Sequence, residues 1–484
     1  MLAVTLDASS EIPLFHQLYA QLRDRILRGS LPPRQRLPSS RTFARDLGVS
    51  RTTVLNAFDQ LLAEGYLEAR VGDGTRVATT LPEPLLRPAR GEIPRRVPAA
   101  QGANERPVQR WIGPVAIDAS SMRPLQPGNP DLAAFPRRLW ARLTTKHWQS
   151  APARLLGYGD SMGYEPLRAT VAEYAHRIRG VECRPEQVLI VGGSQQALYL
   201  CGQVLLMSGD VVWVEDPGYP GARAAFEATT ATIVPIPIDS EGLSLPARAK
   251  NRPAPRLIYV TPSHQCPLGI TMSLPRRLEL LDFASRTGAW IVEDDYDSEY
   301  RYFTRPIASL QSLDPNGRTI YIGTLSKTLL PTLRIGYLIL PKPLVESFSR
   351  ARAVIDRQPA GIEQAVLADF IARGSLERHI RQTRLCYAER ERALVEAIRD
   401  EASDVLEVSP AGAGMYLTAF LRTRLTGAAA AAAAEAAGVT VVPLARFAVK
   451  PLRRDGLVLG YGAYSTDQIQ TAITALARAL RSAR

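Results

Sequence analysis

The segment Thr319-Ile320-Tyr321-Ile322-Gly323-Thr324-Leu325-Ser326-Lys327 passes from a short apolar run into small and hydroxylated residues and ends on a lysine; Arg334 follows seven residues later. A β-branched run of this length stopped by glycine has the character of a buried strand. Four similar runs precede it, at 188–191, 211–214, 257–260 and 290–292, separated by longer amphipathic stretches. Strands alternating with helices imply an α/β fold on a mainly parallel, helix-covered sheet. Ligands of such sheets bind at the carboxyl ends of the strands, so chemistry is expected just after each run.

Those positions hold a consistent set of groups. Run 188–191 leads into Gly192-Gly193-Ser194-Gln195, a glycine turn opening a helix whose free amides and Ser194 hydroxyl can hold a phosphate. Run 211–214 ends in Glu215-Asp216-Pro217-Gly218-Tyr219, which sets an aromatic ring where it can stack on a planar group. Run 290–292 stops at Glu293-Asp294-Asp295-Tyr296-Asp297, where a carboxylate can keep a heteroaromatic nitrogen protonated, as pyridoxal phosphate chemistry requires. Lys327 offers an amine for a Schiff base with an aldehyde, and hydroxyls with Arg334 can neutralise a phosphate dianion. Each motif alone is commonplace; the ordered set is hard to explain as coincidence.

The chain has 484 residues with a formal net charge of +12, 46% hydrophobic and 22% charged residues. This is a globular composition that excludes wholesale disorder, collagen-like repeats and a disulfide scaffold, and at roughly 100 to 200 residues per domain the length allows two to four units. Lysine is scarce: of 59 basic residues only Lys146, Lys250, Lys327, Lys342 and Lys450 are lysines. Compositional bias explains the number, but not why one stands 33 residues after Asp294. The cysteines at 183, 201, 266 and 386 lack CxxC pairing, so neither a metal site nor a disulfide framework is expected. No leader-like start and no run of 18 apolar residues occur, and a soluble, cytoplasmic protein is expected, without a membrane segment. The positive balance permits nucleic acid as a partner without establishing it.

Residues 1–78 form a distinct unit. Leu14, Leu18, Leu22 and Ile26 make one apolar helical face, a second helix begins near Ser39 and stops at Gly48, and a third starts at Ser50 and runs to about Glu64. Helix, glycine-containing turn, helix is the helix-turn-helix pattern. Segments 66–70 and 75–78 then flank Val71-Gly72-Asp73-Gly74 as a hairpin. Ser50, Arg51, Thr52 and Thr53 in the first turn of the third helix suit phosphate oxygens and base edges. With ten arginines against eight acids this unit nets only +2, so geometry carries the inference rather than charge. Residues 79–123 are proline-rich, with seven arginines against four acids and no periodicity, and read as a linker to a large domain at 124–484. The alanine run at 428–434 reads as a helix closed by Gly438 and carries no function.

Residues 13–77 resemble the winged helix-turn-helix of GntR-type bacterial regulators, through Leu37-Pro38-Ser39-Ser40-Arg41 and Leu47-Gly48-Val49-Ser50-Arg51-Thr52-Thr53-Val54. That resemblance implies that Arg41, Arg51 and Thr52 contact double-stranded DNA beside the wing at Gly72. From about Leu125 onward the chain resembles a fold-type I aminotransferase, and as a whole it resembles the MocR subfamily of GntR regulators. This implies bound pyridoxal 5'-phosphate, with Lys327 as Schiff-base lysine, Asp294 on the pyridine nitrogen, Tyr296 donating to the ring hydroxyl and Tyr219 stacked on the ring. Ser194, Gln195, Thr324, Ser326 and Arg334 would gather the phosphate. Tyr158, in Gly157-Tyr158-Gly159-Asp160, resembles the tyrosine that reaches the phosphate from a neighbouring subunit, which implies a homodimer with shared sites.

Two departures bear on function. Where aminotransferases carry Asn-Pro-x-Gly, this chain reads His264-Gln265-Cys266-Pro267-Leu268-Gly269; Cys266 cannot replace an amide, leaving His264 or Gln265 as stand-ins. The late strand, Leu457-Val458-Leu459-Gly460-Tyr461, lacks the arginine that clamps a substrate carboxylate, with Arg446 the remaining candidate from elsewhere. The expectation is a regulator that binds an operator and senses pyridoxal phosphate, or an amine or amino acid reacting with it, and so controls vitamin B6 or amine metabolism; the missing clamp favours the cofactor itself as signal. A working aminotransferase carrying a DNA-binding module is the alternative, opposed by the missing arginine. An empty dimerisation scaffold is opposed by the retained Asp294, Tyr296, Lys327 and Arg334.

Overall fold

The computed structural model describes residues 4–10, 12–70, 74–81, 123–245, 254–302 and 307–483, in two compact units divided between residues 109 and 110. The expected linker lies almost wholly outside the described residues, as does the hairpin turn at 71–73 with Gly72.

In the first unit α1 (Leu14–Leu27), α2 (Ser40–Leu47) and α3 (Arg51–Ala63) are followed by β1 (Leu67–Arg70) and β2 (Gly74–Val77), paired antiparallel. Leu18, Leu22 and Ile26 are buried with Phe43, Val54, Phe58 and Leu61 in one core. Ser39 and Ser50 cap α2 and α3 by accepting from the amides of Thr42 and Thr53, each cap adding about 1 kcal/mol. Gly48 ends α2 in the left-handed conformation at φ 66°. The segment 34–37 also pairs with β2, through Arg34 N to Val77 O and Leu37 N to Thr75 O, both 2.9 Å.

The second unit is built on an eight-stranded sheet. In chain order its strands are β3 (Val188–Val191), β4 (Val211–Asp216), β5 (Thr232–Asp239), β6 (Gly242–Leu243), β7 (Leu257–Val260), β8 (Trp290–Asp295), β9 (Thr319–Thr324) and β10 (Gly336–Ile339). Their spatial order is β3-β10-β9-β8-β7-β4-β5-β6. β9, β8, β7, β4 and β5 are parallel neighbours, whereas β10 runs antiparallel to both β3 and β9 and β6 antiparallel to β5. Strands β3, β7, β9 and β10 are buried along their whole length, which is why they read as continuous apolar runs rather than alternations. A four-stranded antiparallel sheet of β11 (Leu406–Val408), β12 (Tyr416–Leu421), β13 (Val442–Pro443) and β14 (Gly456–Gly460) completes the unit. The alanine run lies in a helix, Gly427–Ala436, and Gly438 follows it at φ 78°.

β10 was not among the runs read from the sequence, yet it positions the site. Because it returns antiparallel beside β9, the chain between them turns over the carboxyl edge of the sheet and presents Lys327 and Arg334 there. Gly323 sits opposite Tyr337 in this pairing, where a Cβ would collide with the phenol ring.

Candidate functional site

A cavity of about 700 Å³ opens at that edge. It brings together Ser194, Gln195, Tyr219, Asp294, Tyr296, Thr324, Ser326 and Lys327 from the ends of four strands, with Arg334 from the turn before β10. Tyr158 is not among its lining residues; it is 85% exposed, with the Arg357 guanidinium 4.9 Å from its ring.

Lys327 donates from Nζ to the Gly128 carbonyl at 2.7 Å. Burial lowers its pKa, opposed by the carboxylates of Asp297 and Asp294, so the neutral, nucleophilic amine is favoured relative to an exposed lysine. Asp294 is buried, and its Oδ2 accepts from the Tyr259 hydroxyl at 2.9 Å. Its Oδ1 has no partner among the described residues. Burial pushes the Asp294 carboxyl up to about 7. A buried carboxylate oxygen without a donor is costly, and Asp294 lines the cavity together with Lys327 and Tyr219.

The opposite end of the cavity is built for an anion. The helix Ser194–Leu205 has Gly193 at its N-cap and no side-chain cap, so its first amides remain to be satisfied. Arg334 adopts the left-handed conformation at φ 48°, and its guanidinium lies 3.4 Å from where a Cβ on Gly193 would stand. Thr324 accepts from the Ser326 amide at 3.2 Å, tightening the turn before Lys327. The Gln195 amide is committed to the Gly221 carbonyl at 2.9 Å; it braces the turn beneath Tyr219.

Sequence reasoning missed several lining residues: Asn129, Arg223, Asp297 and Tyr416. Two of these had a local signal: Asp297 in the acidic cluster after β8, and Tyr416 just behind the glycines of Gly412-Ala413-Gly414. Arg446 does reach the cavity, and Val458 of β14 lines it with an apolar side chain. The stand-ins expected for the asparagine are corrected: Gln265 gives its amide to Glu215 and to the carbonyls of Pro217 and Cys266. The His264 imidazole is bonded to Asp297; neither Gln265 nor His264 lines the cavity, whereas Asp297 and Cys266 do.

On the helix-turn-helix, Arg41, Ser50, Arg51 and Thr52 are exposed. The hydroxyls of Ser50 and Thr53 are 2.8 Å apart and serve the cap, leaving the Arg41, Arg51 and Thr52 side chains to face outward. Arg51 Nε donates to Ser40 Oγ at 3.2 Å, linking the starts of α2 and α3.

The family model for aminotransferase class I and II matches residues 128–480, and that for bacterial regulatory proteins of the gntR family matches 14–77. A probable rhizopine catabolism regulatory protein, MocR of Rhizobium meliloti, is 41% identical over 98% of this chain and 95% of its own length. The chain belongs to the MocR subfamily of GntR-type transcription regulators. The pyridoxine biosynthesis transcriptional regulator PdxR of Corynebacterium glutamicum is 30% identical to this MocR-type regulator over 99% of the chain and 98% of its own length. Among solved structures, a kynurenine aminotransferase of Pyrococcus horikoshii superposes with a TM-score of 0.69 at 29% identity, covering 74% of this chain and 90% of its own. The MocR-type regulator thus joins a DNA-binding unit to a large domain with the fold-type I aminotransferase fold, and among its described residues no helix is long and apolar enough to cross a membrane.

The state of Asp294 is testable without any ligand. With the folded pKa near 7 and an unfolded value of about 3.9, the unfolded chain loses this proton first as pH rises. The residue therefore costs the ligand-free fold stability progressively between about pH 4 and pH 7, and the cost is constant above that window. Asp294→Asn is expected to raise the melting temperature of the ligand-free protein at pH 8 and to flatten its fall with pH by about one proton's worth. Glu215, Glu293 and Glu299, also pushed up to about 7, keep the remainder. An unchanged pH slope in the variant would contradict this account.

Proposed function

We propose that this regulator binds pyridoxal 5'-phosphate in the Lys327 cavity and reports its presence, or that of an amine or amino acid reacting with it, to an operator held by residues 1–78. The observation that carries the reading is the unpartnered Asp294 Oδ1, positioned to accept from a protonated ring nitrogen. The other residues fit the same group. Lys327 would hold the aldehyde carbon, Tyr219 the ring face and Tyr296 the ring oxygen. The uncapped helix start at Ser194, with Thr324, Ser326 and Arg334, would hold the phosphate. When bound, the cofactor supplies reversible covalent capture of primary amines.

Arg223 and Arg446 also line the cavity, which sets guanidinium charge close to an anionic group of an amine effector even though β14 carries Val458. This widens the expected signal from the cofactor alone to acidic amines. Residues 79–123 would pass the state of the large domain at 124–484 to the DNA-binding unit by changing its spacing or freedom. Tyr158 is flanked by Leu156 and lies near Arg357, and Leu156 and Val354 are also well exposed. A second copy covering this surface would bury them and bring Tyr158 to its partner's phosphate site, giving a cytoplasmic homodimer.

Protein purified with pyridoxal phosphate is expected to show the visible band of the lysine-bound cofactor and to shift DNA upstream of its own gene differently with cofactor than without. A colourless wild-type protein sinks the sensor reading. Rapid conversion of amino donors to keto acids would favour the enzyme instead.

A further inference from the structure

The Tyr296 hydroxyl has company. It donates to the His264 carbonyl at 2.8 Å and lies 2.5 Å from the hydroxyl of Tyr416, the first residue of β12. The Tyr416 hydroxyl is also within hydrogen-bonding reach of the Cys266 thiol. Behind the two phenols, His264 Nδ1 stands 3.0 and 3.1 Å from the Asp297 carboxylate oxygens and 3.2 Å from the Tyr296 hydroxyl. His264 and Asp297 are buried. Gly414, at φ 84°, brings the chain just before Tyr416 so close to this pair that a Cβ would overlap the imidazole. Gly269, at φ 74°, approaches from elsewhere, with its Cβ position 3.2 Å from His264 Nε2. The phenols are therefore held by a rigid backing.

Resting on the reading that the cavity holds pyridoxal phosphate, we propose that the Tyr416 hydroxyl, whose proton goes to Tyr296 while Tyr296 donates to the His264 carbonyl, turns that proton to the cofactor's ring oxygen when the cofactor binds, doing the work of the asparagine amide that Cys266 does not supply. A ring oxygen carrying negative charge is best held by two donors, and a thiol is a weak one. The hydroxyl of Tyr416 is within reach of both the Cys266 thiol and the Tyr296 hydroxyl. Gln265 is excluded by its bonds to Glu215 and Pro217. His264 and Asp297 act one step back, as positioning residues that fix both phenols. Besides the two phenols, the charged or titratable groups lining this part of the cavity include Tyr259, Cys266, Asp294, Asp297 and Lys327.

The test is a pH titration of the visible band in cofactor-loaded protein. A donor to the ring oxygen stabilises the deprotonated chromophore, in which that oxygen carries most negative charge, so losing one raises the midpoint. Tyr416→Phe is expected to raise it by about one pH unit, a tenfold change in proton affinity. Adding Cys266→Asn to that variant is expected to return the midpoint toward the native value, a rescue that a purely structural role would not show. Cys266→Asn alone, which leaves both phenols in place, is expected to lower the midpoint, and it tests the site independently should Tyr416→Phe fail to fold. An unmoved midpoint in Tyr416→Phe, or in Cys266→Asn, overturns the proposal while a coloured native protein leaves the cofactor reading intact. A colourless native protein removes both.

Discussion

Lys327→Ala is expected to abolish the visible band at any concentration of pyridoxal phosphate and to make operator binding indifferent to the cofactor. Covalent attachment needs an uncharged amine at the cavity wall, and burial of Lys327 favours that form. No other described lysine can take over: Lys146 is paired with Asp369 on the surface, and neither Lys342 nor Lys450 lines the cavity. The loss should therefore be complete rather than graded, in contrast to changes at Tyr416 or Asp294 that alter how the cofactor is held. Absorbance spectra and gel shifts on the same preparations measure it. A coloured Lys327→Ala protein would place the attachment elsewhere.

The second large effect belongs to the other unit. Arg51→Ala removes an exposed guanidinium from the first turn of α3, the helix that enters the major groove in helix-turn-helix proteins. Loss of such a contact costs about 1–3 kcal/mol, or roughly 10- to 100-fold in affinity. If Arg51 touches phosphate, the salt dependence of binding also becomes shallower by about one ion; if it reads a base, discrimination among operator variants relaxes at one position. The visible band should be unaffected. Undiminished affinity in a folded Arg51→Ala protein would mean that the recognition surface lies elsewhere. The variant keeps the Ser50 cap on the Thr53 amide, so α3 should persist.

The parts of the fold that could be read from the sequence are those whose physics is local. Strands such as 188–191 and 257–260 are buried on both faces and announce themselves as unbroken apolar runs. The serine caps of α2 and α3 and the left-handed glycine at 48 are chemistry between near neighbours. β5 was hidden because Pro235 and Pro237 break its pattern, which a strand flanked on one side only by two-residue β6 tolerates. β10, Gly336–Ile339, is an apolar run of the same length but opens on a glycine close behind the Arg334 turn. The cavity divides in the same way. Residues immediately following a strand, from Ser194 to Lys327, could be found by asking what each strand end presents. Arg223 and Tyr416 come from a helix and a second sheet that only the folded chain carries to the same place.

The unpaired oxygen of Asp294 has a bearing on how long the regulator survives. A ligand that satisfies it binds only the native state, and at a hundredfold excess over Kd such a ligand deepens the native well by about 2.7 kcal/mol. If pyridoxal phosphate fills this site as proposed, the cofactor-free form is the one that opens more often and is cleared by proteases sooner. Supply of the vitamin would thus set the number of regulator molecules in the cell as well as their state, so that scarcity is registered twice, by a faster-acting change in DNA binding and by a slower decline in protein level.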